Sequence, residues 1–379
     1  MTATVPGVRT APPFRADHVG SLLRPPALLR ARADHAAGTL ADEQLRAAED
    51  AAIREVVAMQ AELGLATATD GEFRRTSWHM DFIYRLRGIS RTTENIEVHF
   101  RNAQGDLDFT SAALKVDGRL GIDGPIFAEA FEFLQSCTAE TQTPKLTIPS
   151  PSMVHYRGGA AAIDPAVYPD EDEFWDDLSR AYAAQVRAIA ERGCRYLQLD
   201  DTSLAYLNDP AQRAQLTAQG RDAEHQHERY IRQLNAALAD RPAGLTVTTH
   251  LCRGNFRSSW AAEGGYDFVA EALFGGLDVD GFFLEYDDER SGGFAPLRFV
   301  PPGKQVVLGL VTTKRPELER KDDLKRRIDE AAKYLDLDQL CLSPQCGFSS
   351  TVEGNDLTLD EERAKLALVV ETAAEIWGA

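Results

Sequence analysis

The segment Leu245-Thr246-Val247-Thr248-Thr249-His250-Leu251-Cys252 decides how this chain reads. Residues 245–249, rich in β-branched side chains, have the character of a short strand. His250 and Cys252 follow, two positions apart. On an extended chain such residues point the same way. An imidazole nitrogen and a thiolate aimed at one point make half of a zinc site. Two more ligands arriving from elsewhere would complete it.

The flanking sequence repeats the pattern of a short strand followed by polar residues. Strands are expected at residues 14–19, 65–69, 145–148, 196–199, 281–284, 305–308 and 340–342. Helices are expected at 42–63, 78–86, 128–134, 170–192, 222–238, 266–274, 321–334 and 359–377. Eight strands alternating with helices predict an α/β chain, a single (β/α)8 TIM barrel. The alternative is an open doubly wound sheet. Its dinucleotide-binding form has no support, because no G-x-G-x-x-G follows the first strand. Residues 1–13 read as a flexible lead-in and 14–379 as the catalytic barrel. One stretch, about 90–120, breaks the rhythm. There Ile96-Glu97-Val98-His99-Phe100 and Leu107-Asp108-Phe109 alternate around Gln104-Gly105, the pattern of a β-hairpin insertion after the second strand.

The chain has 379 residues, 44% hydrophobic and 26% charged, with a net charge of −18. Nucleic acid is not an expected partner, since phosphate binding needs a basic surface. No run of about 18 apolar residues spans a bilayer, and no signal peptide is evident, so no membrane partner is expected. Five cysteines, an odd count in a large acidic chain, fit reduced thiols in the cytoplasm. Cys341, between Leu340 and Leu342, reads as core. A homo-oligomer is compatible with the sequence but not specified by it.

Barrel enzymes place their chemistry just beyond the strand ends. Strand five is followed by His250 and Cys252, strand six by Glu285, and strand eight by Cys346. Asp287, Asp288 and Glu289 compete with Glu285 for its role. Two thiolates, an imidazole and a carboxylate suit zinc better than magnesium or calcium, which prefer all-oxygen shells. The other strand ends carry His18-Val19-Gly20-Ser21, Asp70-Gly71-Glu72, Pro149-Ser150-Pro151-Ser152, Asp200-Asp201-Thr202-Ser203 and Thr312-Thr313-Lys314.

From Arg15-Ala16-Asp17-His18-Val19-Gly20-Ser21 to Ser343-Pro344-Gln345-Cys346-Gly347-Phe348, the chain resembles the catalytic domain of cobalamin-independent methionine synthases. It is most similar to their short, single-barrel bacterial relatives, which include enzymes joining coenzyme M to an epoxide. The resemblance implies Zn2+ held by His250, Cys252, Glu285 and Cys346. It implies that the turn His18 to Ser21 holds an amino-acid substrate through Gly20 and Ser21. Glu72 and Asp200 would then receive the substrate ammonium. The implied reaction is transfer of an alkyl group, most simply a methyl, to a thiol such as homocysteine. In one place the chain departs from the family. The full-length synthases carry Asp-Ile-His after strand seven, with the His as suspected proton donor, and this chain has Val311-Thr312-Thr313. The alkyl donor is therefore open between methyl-folate, a methyl-corrinoid and an epoxide, and the thiol between homocysteine and coenzyme M.

Arg24, Arg74, Arg75, Arg253 and Arg257 are candidates to clamp an anionic group. Arg74 bears most directly on a sulfonate-bearing thiol. Trp78, Tyr156 and Trp260 could stack on a flat donor. His155 is a candidate replacement for the missing acid. Two other classes remain beside these readings: a zinc-stabilised binding protein, and a hydrolase of another metal. The first would favour C-x-x-C pairs from local hairpins, and the second histidines and carboxylates without two thiolates.

Overall fold

The computed structural model describes residues 9–102 and 105–378, with the backbone alone for 93–97 and 108–112. Residues 1–8 of the expected lead-in, Gln104 of the expected turn, and the side chains of the alternation at 96–97 and 108–109 lie outside the described residues.

Among the described residues nine strands form two sheets: β1 (Thr67–Ala68), β2 (Arg87–Asn102), β3 (Gly105–Gly121), β4 (Thr143–Pro149), β5 (Tyr196–Asp201), β6 (Thr246–Leu251), β7 (Gly281–Glu285), β8 (Gln305–Val311) and β9 (Leu340–Pro344). Seven make one curled, parallel sheet in the order β1-β4-β5-β6-β7-β8-β9. β2 and β3 pair antiparallel with each other. Every residue of β5, β7, β8 and β9 is buried. Strands covered on both faces read as continuous apolar runs, as Gln305-Val306-Val307-Leu308-Gly309-Leu310-Val311 does.

Helices cover the outer face. The helix Glu171–Glu191 starts at Asp170, whose carboxylate accepts the Asp172 N–H, and three acidic residues in its first turn complement the helix dipole. It buries Phe174, Leu178, Tyr182, Val186 and Ile189 at helical spacing. Among the described residues no helix is long and apolar enough to cross a membrane.

The expected first strand is largely absent. Residues 14–19 contribute a single parallel bridge, Ala16 to Leu342. The local cause is Asp17. Its carboxylate accepts the backbone N–H of Phe14 at 3.1 Å and of His18 at 2.8 Å, which removes both from any ladder. The segment still joins the two edges of the sheet. Asp17 N–H donates to Leu342 and Leu342 N–H to Arg15, tying it to β9. Beyond it, Thr69 Oγ1 donates to the Gly20 carbonyl and Leu22 N–H to Gly71, tying it to the turn after β1.

Beneath the strand ends the interior is polar as well as apolar. Lys145 and Asp17, both fully buried, stand 3.2 Å apart. The ammonium also donates to the His18 carbonyl and to Gln198 Oε1, and Tyr196 donates to Asp17 at 2.9 Å. Val19, Phe283, Val307 and Cys341 form a small apolar cluster nearby.

Removing one partner of a buried pair leaves the other charge stranded. Lys145→Met is expected to destabilise the fold by about 3–5 kcal/mol in urea unfolding. A second effect depends on pH. Glu362 is buried, accepts the Leu23 N–H at 2.7 Å, and is pushed by burial up to about 8 from an ordinary 4.5. The folded chain thus holds a proton that the unfolded chain releases. This contribution is full below about pH 4.5 and is lost as pH rises through about 8. Glu362→Gln is expected to flatten the fall of stability across that window, measured as urea midpoints against pH.

Candidate metal centre and substrate pocket

The parallel sheet sends the carboxyl ends of its strands to one rim. His250 lies inside β6 and Cys252 just beyond it, so the extended backbone turns both side chains to one side. Glu285 is the last residue of β7, the neighbour of β6, and Cys346 follows β9 by two residues. Ligating atoms from these four buried residues all lie within 4.8 Å of one another.

Their chemistry fits a metal ion. Cys252 Sγ and Cys346 Sγ are 3.4 Å apart, and both thiols are free. Two thiolates on a tetrahedral zinc, at Zn–S near 2.3 Å, stand roughly 3.8 Å apart. Glu285 Oε1 is buried without a hydrogen-bond partner. His250 Nδ1 lies 3.3 Å from Asp200, the kind of outer carboxylate that orients a ligating imidazole, and Nε2 lies 3.3 Å from the Gln345 carbonyl.

The four groups perturb one another strongly. Cys252 is pushed well above the usual thiol value by its hydrogen bond with Cys346 and by burial, and Cys346 well below it by Cys252 and then His250. Burial would lower the His250 pKa, but Asp200 and Cys346 outweigh it and hold the ring up at about 10. Burial raises Glu285. Two cations stand behind the cluster. Lys314 is buried 3.8 Å from Asp287, and the field of Asp287 and Glu285 outweighs its desolvation. Arg253 is 3.8 Å from Glu285 Oε2 and donates to the carbonyls of Glu285 and Gly264.

The cluster opens into a pocket with 70 Å³ of free space. One wall holds Val19, Ser21, Glu72 and Asp200. Gly20, at φ +144°, lets that turn pass Thr147, whose Cγ2 would lie 2.7 Å from any Cβ there. A side chain at Gly347 would collide with Ser21. Glu72 accepts the Thr147 hydroxyl at 2.6 Å, lies 3.4 Å from Arg75, and is raised chiefly by burial. Asp200 accepts Gln198 Nε2 at 2.7 Å. Trp78, His79, Arg157 and Tyr206 also line the pocket, and Phe100 of β2 packs on Phe256, ring centroids 5.5 Å apart, where both line it.

Several expected residues lie elsewhere. Arg74 is held by Glu49 and Asp50 at 3.0 and 2.6 Å and lines a different cavity. Arg24 is spent on Ser349 and on the carbonyls of Glu72, Arg75 and Thr351. Arg253 is committed to Glu285 and Gly264 behind the His250, Cys252, Glu285 and Cys346 cluster. Trp260 and Arg257 line a neighbouring 820 Å³ cleft, where Arg290 covers the indole at 3.9 Å. Tyr156 packs edge-on against Tyr206 and Tyr230 outside the pocket lining. His155 is no acid for the pocket: it is buried against Tyr230 and Trp175, and burial with Arg221 lowers its pKa to about 3. The His18 ring, held neutral by burial at about 4, also lies outside the lining, and its carbonyl serves Lys145. Conversely, sequence reasoning passed over His79 and Arg157. Their only signal is position, since each follows a strand on the rim side.

Known proteins agree with this architecture. The family model described as "Cobalamin-independent synthase, Catalytic domain" matches residues 126–375. The Bacillus subtilis protein YxjG is 48% identical over 371 residues, covering 97% of this chain and 96% of its own. A methionine synthase of Pyrococcus abyssi is 24% identical, covering 87% of this chain and 84% of its own. A solved Listeria monocytogenes structure, described as a candidate vitamin-B12-independent methionine synthase, superposes with a TM-score of 0.78 at 37% identity, covering 97% of this chain and 99% of its own. With the family model spanning most of the chain, and close relatives aligned nearly end to end, this chain belongs to the cobalamin-independent synthase family.

Proposed function

We propose that the chain is a zinc-dependent thiol alkyltransferase of the methionine synthase type, acting from a single (β/α)8 barrel in which residues 14–19 stand as the first stave and the β2–β3 hairpin is an insertion. One observation carries this reading: two thiols, an imidazole and a carboxylate converge, and His250, Cys252 and Cys346 of that cluster line a pocket together with two more carboxylates, Glu72 and Asp200. A thiol near pKa 8.5 is a weak nucleophile at neutral pH, and Zn2+ supplies the charge that deprotonates and orients it.

The chain's own residues do the rest. Glu72 and Asp200 receive the ammonium of an amino-acid thiol, homocysteine in the simplest case. Ser21 offers a hydroxyl beside them, in a turn that Gly20 keeps narrow. Asp200 also orients His250. Lys314 and Arg253 offset the charge of two thiolates and Glu285. The apolar cover of Phe100 and Phe256 limits water at the reacting sulfur. The acid pair favours an amino-acid thiol over coenzyme M, and Arg74, which would have favoured a sulfonate, is sequestered. Thr313, in place of the family's histidine, bonds to Gln345 and Gly347, so no imidazole serves the leaving group from that strand end. The donor, methyl-folate, methyl-corrinoid or epoxide, is a matter for assay.

Wild-type protein is expected to hold one zinc per chain by metal analysis, and Cys252→Ser and Cys346→Ser each to lose it. Stoichiometric zinc in both variants overturns the ligand set. In cobalt-substituted protein, homocysteine is expected to raise a sulfur-to-metal charge-transfer band. If neither homocysteine nor coenzyme M does so, the thiol-activation reading is wrong.

A further inference from the structure

The charges in the metal pocket are arranged unevenly. Among the described lining residues the acids are Glu72 and Asp200, both on the wall of the 18–21 turn. A single lysine or arginine lines the pocket, Arg157, on the wall of Trp78, His79 and Tyr206. It follows the short helix Ser152–His155 that leaves β4.

Arg157 differs from the other arginines near this rim. Arg24, Arg74, Arg75, Arg253 and Arg290 each have carboxylate or carbonyl acceptors. Among the described residues no carboxylate pairs with Arg157. Its guanidinium stands 5.8 Å from the centroid of the Tyr206 ring, and the residue is half-buried. A half-buried cation facing a pocket with no anion of its own has hydrogen-bonding capacity left for a ligand. Its planar fork matches carboxylate and sulfonate oxygens. Beside it His79 is neutral, lowered to about 3 by burial and then by Arg157, so it adds no competing charge.

We propose that Arg157 recognises an acid group, carboxylate or sulfonate, on a ligand that enters this pocket beside the metal cluster. The pocket would then offer acceptors for an ammonium at Glu72 and Asp200 and a donor for an acid group at Arg157. This inference rests on the pocket being the reaction site. The acid group has two sources, the thiol acceptor or the alkyl donor, and two arms of one experiment separate them.

The first arm titrates cobalt-substituted protein with homocysteine, with coenzyme M, and with 3-aminopropane-1-thiol, which is homocysteine without its carboxylate. The charge-transfer band is the readout. The second arm measures by calorimetry the binding of methyltetrahydrofolate and of dimethyltetrahydropterin, which lacks the glutamate. Both arms compare wild type with Arg157→Met and Arg157→Lys at equal metal content. A charged hydrogen-bonded pair contributes about 1.5–3 kcal/mol, so Arg157→Met is expected to weaken acid-bearing ligands in one arm by roughly 10- to 100-fold. The acid-free partner in that arm should be unchanged, and Arg157→Lys should recover part of the loss. The arm that responds names the source. If acid-bearing and acid-free ligands shift alike, or neither shifts, or nothing acidic binds in either arm, the proposal falls. Failure of every thiol to ligate cobalt counts against the thiol-activation reading, and the second arm still decides the role of Arg157.

Discussion

One carboxylate fixes the segment that joins the two edges of the sheet. Asp17 takes two backbone N–H groups of its own segment, the Tyr196 hydroxyl and the Lys145 ammonium. It thereby fixes a stretch with little strand character of its own between β9 and the turn after β1. A buried ion pair is weak evidence for stability, because desolvation offsets much of the attraction. Its value here is positional. With Lys145 also on the His18 carbonyl, the turn that follows, Val19 to Ser21, is set against Glu72 and the pocket. The floor of the site is thus a polar plug, and the chemistry stands on it.

Above the plug, the site depends on strand polarity and register. Parallel strands deliver their carboxyl ends to one rim. His250 pairs with Phe283 across β6 and β7, so the last residue of β7 comes level with the residue just past β6. Cys346 reaches the same point from the short turn after β9. A slip of one residue in any of these strands would turn a ligand to the opposite face. Two sulfurs, a carboxylate and an imidazole buried together are costly unless a cation joins them. Lys314 and Arg253 supply part of that charge from behind, and neither reaches hydrogen-bonding distance of the Glu285 carboxylate oxygens.

Much of this was legible in the chain. The strands β4 to β9 and the long helices Asp42–Glu62, Glu171–Glu191 and Leu359–Trp377 stand close to the expected bounds, because strand burial and helical periodicity are local, repeated signals, whereas the expected helix 78–86 is only Met80–Ile83. The pair His250 and Cys252 was legible because spacing two on a strand fixes direction. The flaws were equally physical. Residues 14–19 looked like a strand, but Asp17 drew off the backbone donors a strand needs. Arg24 and Arg74 looked like anion clamps, yet each had acceptors in folded neighbours that sequence distance conceals. His155 lies in the short helix after β4 and packs against Tyr230 and Trp175 instead of lining the pocket.

The sequence by itself determined which residue types stand at the strand ends, and therefore what chemistry the rim could host. Period and polarity are properties of the local chain, and the family motif is written in the same segments. Only the tertiary structure decided which of those groups meet. Whether a charged side chain is spent on a neighbour or left facing a pocket depends on partners tens to hundreds of residues away. Arg74 and Arg157 are alike in composition and both follow strands, but one is closed by Glu49 and Asp50 and the other is open. That difference is a fact of packing, and no reading of a single segment contains it.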